Sequence, residues 1–501
     1  MNTTNWKNQS KRILVATLSF LMLQPCPLVA QQPATNDEGA DRHVGICDWM
    51  VLKRQKLGQF ALARQLGADG VELDMGGLGQ RETFDNKLRQ PDEARHFRHV
   101  ADSLGISIGA VAMSAFYAQD LTTRDNYMAL IADCFDTMDS MGSGPVAFLP
   151  LGGCGNGWAA DKQKRAEVVK RLHAIGEEAL RRGKRVGIDT QLDAKGNIRL
   201  LKEIKSQGIA IFYKLQTAVE NGWDVCADMR RLGAANICAI HATNTDGQWL
   251  QNDKATDMRA VNQTLDDMGW KGWLFVERSR DTTMVRNVKM NYGANVHYLK
   301  EVFGLSYPAP TVALDSAGRP RDYVETIVQR SQKVTDKLGI TYTVEGRNVL
   351  NIVANRYFKL NDIYAERDSL KKNGEKEKAE ALADSRLYRS HFALEADLAM
   401  YLTPEEIETV KDVMTFNVVQ VTYDAQLDMI PTLKDEEKRQ IMAWLKEARE
   451  LAIDAESSKK KHEVFGKYKG RINNYLSRRG YDLTKEREAW YERVKARGGK
   501  L

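Results

Sequence analysis

The sequence predicts a closed (β/α)8 barrel followed by a separate all-α domain. Three observations carry this. Eight short apolar runs recur between residues 43 and 304, each followed by a segment of helical period. The runs are near-continuously apolar, as strands covered on both faces must be. Beyond a proline-bearing stretch at residue 307 the runs stop, and helical, charge-rich pattern continues to the end.

The runs are HVGICDWMV (43–51), ADGVELD (68–74), ISIGAVAM (106–113), GPVAFLPL (144–151), KRVGIDTQ (184–191), IAIFYKLQ (209–216), NICAIHATN (236–244) and GWLFVERS (272–279). Segments such as RAEVVKRLHAIGEEALRRG (165–183) fill the gaps with helical periodicity. Eight strands with eight crossovers in this length match a (β/α)8 barrel of about 250 residues. A doubly wound open sheet is the alternative, but no glycine-rich phosphate fingerprint comes after the first run.

The first thirty residues read as a secretory signal peptide. Lys7, Lys11 and Arg12 precede the apolar run ILVATLSFLML, and LVA at 28–30 offers a small residue for cleavage. The protein is therefore expected to be exported, most simply to a periplasm, with no integral membrane segment after signal removal. Removal takes three positive charges from a formal +6, which gives no case for nucleic-acid binding. Cys47, Cys134, Cys154, Cys226 and Cys238 then remain, an odd and scattered set that reads as buried thiols rather than a disulfide framework.

YPAPTVALDSAGRPRD (307–322) reads as the close of a linker spanning 305–322. Residues 323–501 read as six or seven helices, with LTPEE (402–406) as a capped helix start. The final stretch, 459–501, has 14 Lys/Arg against 5 Asp/Glu, interleaved with Tyr and Trp. It reads first as an amphipathic end with a solvated basic face. The second reading is a docking surface for an anionic glycan or a membrane surface.

A barrel of this kind carries its chemistry at the carboxyl ends of its strands. Those ends bring Asp48, Glu72, Asp74, Met113, Asp189, Gln191, Lys214, Gln216, His241, Asn244, Glu277 and Arg278 towards one mouth. Converging charges are costly unless they pair or bind something, so this set is the strongest functional signal in the chain. Glu277, Asp189, Lys214 and His241 are the expected catalytic residues. Asp48, Glu72, Gln191, Gln216, Asn244 and Arg278 are expected to bind substrate.

GADGVEL (67–73), GWDVCADMRRLG (222–233), ICAIH (237–241), TDGQWL (245–250) and TLDDMGWKGWLFVERSRD (264–281) resemble the xylose isomerase-like TIM-barrel family, also described as sugar phosphate isomerases/epimerases. The resemblance covers about residues 43–304. It implies a divalent metal (Mn, Zn or Co) that polarises a sugar carbonyl, held by Glu, Asp, His and Glu on strands five to eight. On this chain those positions fall on Asp189, Lys214, His241 and Glu277. His241, Glu277 and Asp189 are thus the implied metal ligands, and Lys214 stands where an aspartate ligand is expected. An ammonium repels a divalent cation.

Lys214 has three readings. It replaces the metal as a fixed positive charge; it is a Schiff-base nucleophile; or it marks a retired site in a glycan-binding pseudoenzyme. A ligand set of Glu72, His241 and Glu277 is a further geometry. The expected activity is proton transfer next to the carbonyl of a sugar or glycoside, or the lyase or hydratase chemistry on a keto-glycoside that begins with the same proton abstraction.

ANRYFKLNDIYAERD (354–368), VKDVMTFNVVQVTYDAQLDMIPTL (410–433) and WLKEARELAIDAESSKKKHEVFGKYKGRINNYLSRRGYDL (444–483) resemble an uncharacterised bacterial family of unknown function, over about 323–497. Members occur in secreted proteins encoded near glycan-degradation genes. No chemistry transfers from it. Within it His462, Lys467, Lys469 and Arg471 read as an anion or glycan contact, or equally as helix-capping and surface residues.

Overall fold

The computed structural model describes residues 42–498 except residue 245. The signal-peptide reading of residues 1–30 lies outside the described residues.

Eight parallel strands close a barrel in sequence order. They are β1 Arg42–Cys47, β2 Gly70–Asp74, β3 Ser107–Ala112, β4 Val146–Pro150, β5 Arg185–Asp189, β6 Ile209–Lys214, β7 Ile237–His241 and β8 Gly272–Val276. β1 pairs with β8 as well as with β2, with Val44 opposite Leu274, and that pairing shuts the barrel. Each strand overlaps its predicted run but is shorter. The trimmed residues enter turns and helices: Asp48 opens the short helix Asp48–Val51, and Gln216 lies in the helix Leu215–Glu220.

Side chains alternate across each strand, so one set fills the barrel and the other packs under the surrounding helices. On β8, Trp273 and Phe275 point inward and stack, with ring centroids 5.4 Å apart and planes 8° from parallel. Phe148, Phe212 and Phe275 are fully buried with Cys47, Ala110, Ala112 and Ala239 in one interior cluster. Burying each phenyl ring stabilises the barrel by about 2 kcal/mol. The bulk of these rings requires bare backbone on facing strands. A methyl added to Gly109 would lie 2.4 Å from the Trp273 ring, and one added to Gly45 would lie 2.6 Å from Phe275. The outward set, including Val44, Ile46, Val71, Leu73, Ile188 and Leu274, packs beneath the helices in a second and larger core.

Beyond the barrel, eight helices are present among the described residues: Arg321–Leu338, Val344–Lys372, Lys376–Leu398, Pro404–Met414, Val418–Met429, Asp435–Ile453, Ser458–Arg478 and Leu483–Ala496. Thr403 caps the fourth through a capping box with Glu406, as LTPEE predicts. The count exceeds six or seven because TPEEIETVKDVMTFNVV, which has the pattern of one helix, is broken. Phe416 and Asn417 both adopt left-handed backbone, with φ of 61° and 56°.

The segment between the two parts is tied down. Asn348, Asn351 and Asn355 sit along one face of Val344–Lys372 and bond its main chain. The Asn348 Oδ1 accepts from Val312 N–H at 2.8 Å, and Asn351 Nδ2 donates to Val312 O at 2.7 Å. Asn355 Oδ1 accepts from Asp315 N–H, and its Nδ2 donates to Ala313 O, both at 2.8 Å. No helix among the described residues is long and apolar enough to cross a membrane. Cys47, Cys134, Cys154, Cys226 and Cys238 are all free, matching the reading as thiols rather than disulfides.

Candidate functional site

The inward parity of the strands decides which side chains meet at the mouth. On β6, Ala210, Phe212 and Lys214 share a face, so an apolar strand delivers its lysine into the barrel. Lys214 Nζ lies 2.9 Å from Glu277 Oε2, just past β8. Tyr117 joins them: its hydroxyl donates to Glu277 Oε1 at 3.3 Å, and Lys214 Nζ reaches that hydroxyl at 3.4 Å. Burial pushes the Glu277 carboxyl up, but His241 and Lys214 outweigh it and hold the group below the usual carboxylate range. Burial raises Asp189, and the pull of Lys214 and His241 offsets this only in part. Burial also lifts the Tyr117 phenol well above its ordinary value, with Glu277 and Asp189 adding to the effect.

A second group lies beside the first. His241 Nε2 is 2.8 Å from Glu72 Oε2, and the Cys47 thiol donates to the same oxygen at 3.2 Å. The His241 ring is walled by Phe148 and Phe212, at centroid distances of 4.8 and 4.4 Å. Burial lowers the His241 pKa, but the Glu72 carboxylate overcomes it and the net shift is upward. Burial pushes the Cys47 thiol well up, with Glu72 adding to it. Glu72 Oε1 and His241 Nδ1 are buried without a hydrogen-bond partner.

The other expected site residues divide. Asp189, Gln191 and Lys214 line one small cavity, together with Thr217 and Trp223. Gln191 reaches it in left-handed backbone, φ 59°. Asp48 does not join Glu277. It accepts from the Gln55 N–H at 3.0 Å and couples to Asp74, whose own carboxylate pairs with Arg54 at 2.8 Å. Gln216 turns along its helix to Glu220, at 2.5 Å. Asn244 braces the loop after β7: it accepts from the Ser279 hydroxyl at 2.7 Å and donates to Asp253. Arg278 is exposed, and its backbone N–H bonds Thr243. Met113 is fully buried in the core under the helices. Asp48 and Arg278 directly follow the inward Cys47 and Glu277 and so take the outward parity of β1 and β8, whereas Gln216 and Asn244 lie in the helix and the loop that follow their strands.

Two mouth residues escape the sequence reading. Cys47 has the inward parity of β1, so strand alternation alone points to it in place of Asp48. Tyr117 lies in the helical turn Ser114–Tyr117 after β3, and no sequence period aims it at the mouth.

The donor set does not fit the metal expected from the family resemblance. A lysine takes one ligand position, and its ammonium already neutralises Glu277. Among the described residues a different trio has ligand spacing. Cys47, Glu72 and His241 are all buried, with ligating atoms within 4.8 Å of one another. Of the ligands the resemblance implies only His241 is in that trio; Glu72 joins it from the further set of Glu72, His241 and Glu277.

Comparison with known families gives the same division of the chain. The family model described as xylose isomerase-like TIM barrel matches residues 60–302, and that of a protein of unknown function (DUF3826) matches residues 324–496. Among solved structures it is similar to a xylose isomerase domain protein from Planctomyces limnophilus. Identity is 17% and the TM-score 0.41, covering 52% of this chain and 96% of that one. A D-psicose 3-epimerase solved in the presence of D-fructose has 11% identity and a TM-score of 0.42, covering 52% of this chain and 99% of that one. A 3-keto-D-glucoside 4-epimerase from E. coli has 14% identity, a TM-score of 0.42 and the same coverage. No curated protein matches the chain.

Proposed function

We propose that the barrel belongs to an exported sugar-modifying enzyme that moves a proton on the carbon beside a carbonyl, using Lys214 where the family uses a metal. The observation that carries this is the buried contact of Lys214 Nζ with Glu277 Oε2 at 2.9 Å, beside a cavity that Lys214 and Asp189 both line; the Glu277 carboxyl is shifted down there by His241 and Lys214 against burial, and the Asp189 carboxyl up by burial. Environments that separate two titratable groups in this way assign a base and an acid. Glu277 removes the proton, and the electron pair moves to the carbonyl oxygen. The ammonium of Lys214 stabilises the resulting enediolate oxygen in a site that excludes water. Asp189 returns a proton to carbon, giving an epimer or an isomer. Tyr117 bonds both Glu277 and Lys214 and fixes their orientation. Gln191 and Trp223 line the adjoining cavity and are placed to hold sugar hydroxyls and a ring face.

The test is proton exchange at the α-carbon of a panel of keto sugars and keto-glycosides in deuterated water. Exchange is expected with wild type and is expected to fall by about 10²–10⁴ in Glu277→Gln, the range of general acid–base catalysis. Absence of Glu277-dependent exchange across the panel would defeat the reading. One observation favours a second reading: Lys214 already neutralises the charge of Glu277, as it would in a retired site that only binds glycans. Sugar binding with no exchange is the outcome that selects it.

A further inference from the structure

The helical region holds a cleft of about 690 Å3, in the upper part of the range of ligand pockets and with room for several sugar units. Helices Arg321–Leu338 and Val344–Lys372 line it, with the connector at Phe416 and the first turn of Ser458–Arg478. Its charge is unbalanced. Arg330, Lys333 and Lys461 face it, and none of the three has a carboxylate partner among the described residues. Its one acid, Glu456, is already paired with Arg367 at 2.5 Å. Several cations of the basic end, by contrast, are paired. Arg471 pairs with Glu447, Arg479 with Glu436 and Glu437, and Arg497 with Asp428.

Lys461 is the most costly of the three cations. It is 5% exposed, and among the described residues its ammonium makes one hydrogen bond, to the Met414 carbonyl at 2.9 Å. Burial, with Arg330 and Arg356 nearby, lowers its pKa to about 8. A buried cation of this kind is retained at a cost unless an anion repays it. Arg330 and Lys461 both lie over the Tyr357 ring, at 5.4 and 5.6 Å from its centroid, which fixes them as a pair.

The walls add ring faces. Phe416 is 48% exposed although it is a large apolar residue, and it stands in left-handed backbone at φ 61°. One of its faces stacks on His462 at 5.4 Å. That backbone closes the helix Pro404–Met414, with Phe416 N–H bonding Val413 O and Asn417 N–H bonding Asp412 O, and it holds the ring at the rim of the cleft. Tyr364 stands on another wall with its hydroxyl anchored to the Asp454 carbonyl at 2.6 Å.

We infer that this cleft binds a carboxylated oligosaccharide, with Arg330, Lys333 and Lys461 taking carboxylates and Phe416 and Tyr364 taking the apolar faces of sugar rings. A peptide is the less suited occupant. The walls are helices without a free strand edge, and the floor is cationic rather than an apolar groove. The inference stands on the helical region alone and is independent of the chemistry at the barrel mouth.

The experiment is calorimetric titration of the full mature chain with tetragalacturonate, with a neutral xylotetraose and with an acidic tetraglutamate peptide. Tetragalacturonate is expected to bind, to weaken at least tenfold between about 50 and 300 mM salt, and to weaken at least tenfold again in Lys461→Met. Arg330→Gln combined with Lys333→Gln leaves the buried lysine in place and is expected to weaken it similarly. That double variant decides the matter if Lys461→Met does not fold. Failure of tetragalacturonate to bind folded wild type would overturn the inference. So would equal binding of xylotetraose, tighter binding of the peptide, or affinity unchanged in the double variant.

Discussion

Lys214 Nζ stands 2.9 Å from Glu277 Oε2, and both side chains are almost wholly withdrawn from solvent, at 11% and 4% exposure. An ion pair so placed ties the folding of the barrel to its chemistry. Glu277 has a folded-state pKa below its ordinary value, so its contribution to stability is present above that ordinary value. It is lost as pH falls through the depressed one. Lys214→Met strands a buried carboxylate, and we expect a cost of about 3–5 kcal/mol near neutral pH. In mild acid the cost should be smaller, because a Glu277 freed of its cation takes up a proton more easily. Urea unfolding under the two conditions checks this; an equal cost in both would contradict it.

Placing at position 214 the carboxylate that the family resemblance implies there should create metal affinity. Lys214→Asp places a fourth oxygen or nitrogen ligand beside Asp189, His241 and Glu277, and we expect it to take up Mn, Co or Zn near one equivalent. Wild type should hold none at these four positions. Elemental analysis of both proteins, with Glu277→Gln added to the variant to remove a ligand, reads the result. Metal in wild type that Glu277→Gln removes would refute the assignment. Metal removed by Cys47→Ser would instead belong to the Cys47, Glu72 and His241 trio.

His241 owes its raised pKa to Glu72, against the effect of burial. A histidine shifted upward contributes stability that is fully present below its unfolded pKa and is lost as pH rises through the folded one. Glu72→Gln should therefore lower the His241 pKa and cost about 3 kcal/mol in mild acid, with a smaller loss in mild alkali. An NMR titration of the imidazole in both proteins gives the direction directly.

Asp48 and Asp74 lie together and compete for protons. Burial lifts Asp48 well above its ordinary value and lifts Asp74 to about 6. For a raised carboxyl, stability is fully present below the unfolded pKa of about 3.9 and is lost as pH rises through the folded one. The protein should therefore lose stability from this pair as pH rises from about 3.9 through the folded Asp74 value of about 6. Asp48→Asn removes the repulsion while Arg54 keeps Asp74 paired, and should flatten that part of the pH dependence. Thermal unfolding across the range measures it.

The fold is legible in the sequence because covered parallel strands leave unbroken apolar runs, and eight of them with helical spacers admit few arrangements. The centre of the site is legible too. Asp189, Lys214, His241 and Glu72 end or lie within strands, where alternation governs direction, and Glu277 comes directly after β8. Asp48 and Arg278 mislead because each follows an inward residue and so takes the outward parity, and Gln216 and Asn244 because the strands stop earlier than the apolar runs. Tyr117 gives no signal because a helical turn after β3 brings it back over the mouth. The cleft in the helical region is hidden for a different reason. Its cations come from helices far apart in sequence, and only their packing leaves Arg330 and Lys461 over one tyrosine.

The stacked pair Trp273 and Phe275 leaves a mark on how this barrel can change. Gly109 on β3 and Gly45 on β1 face those two rings, so neither can gain a side chain while the rings stay. Gly109→Ala alone should be among the more damaging single substitutions in the barrel, and Trp273→Leu alone should open a cavity. Made together, each relieves the other, and their combined cost should fall well short of the sum. Positions on separate strands thus form one heritable unit, and the floor beneath the site can drift only by paired steps.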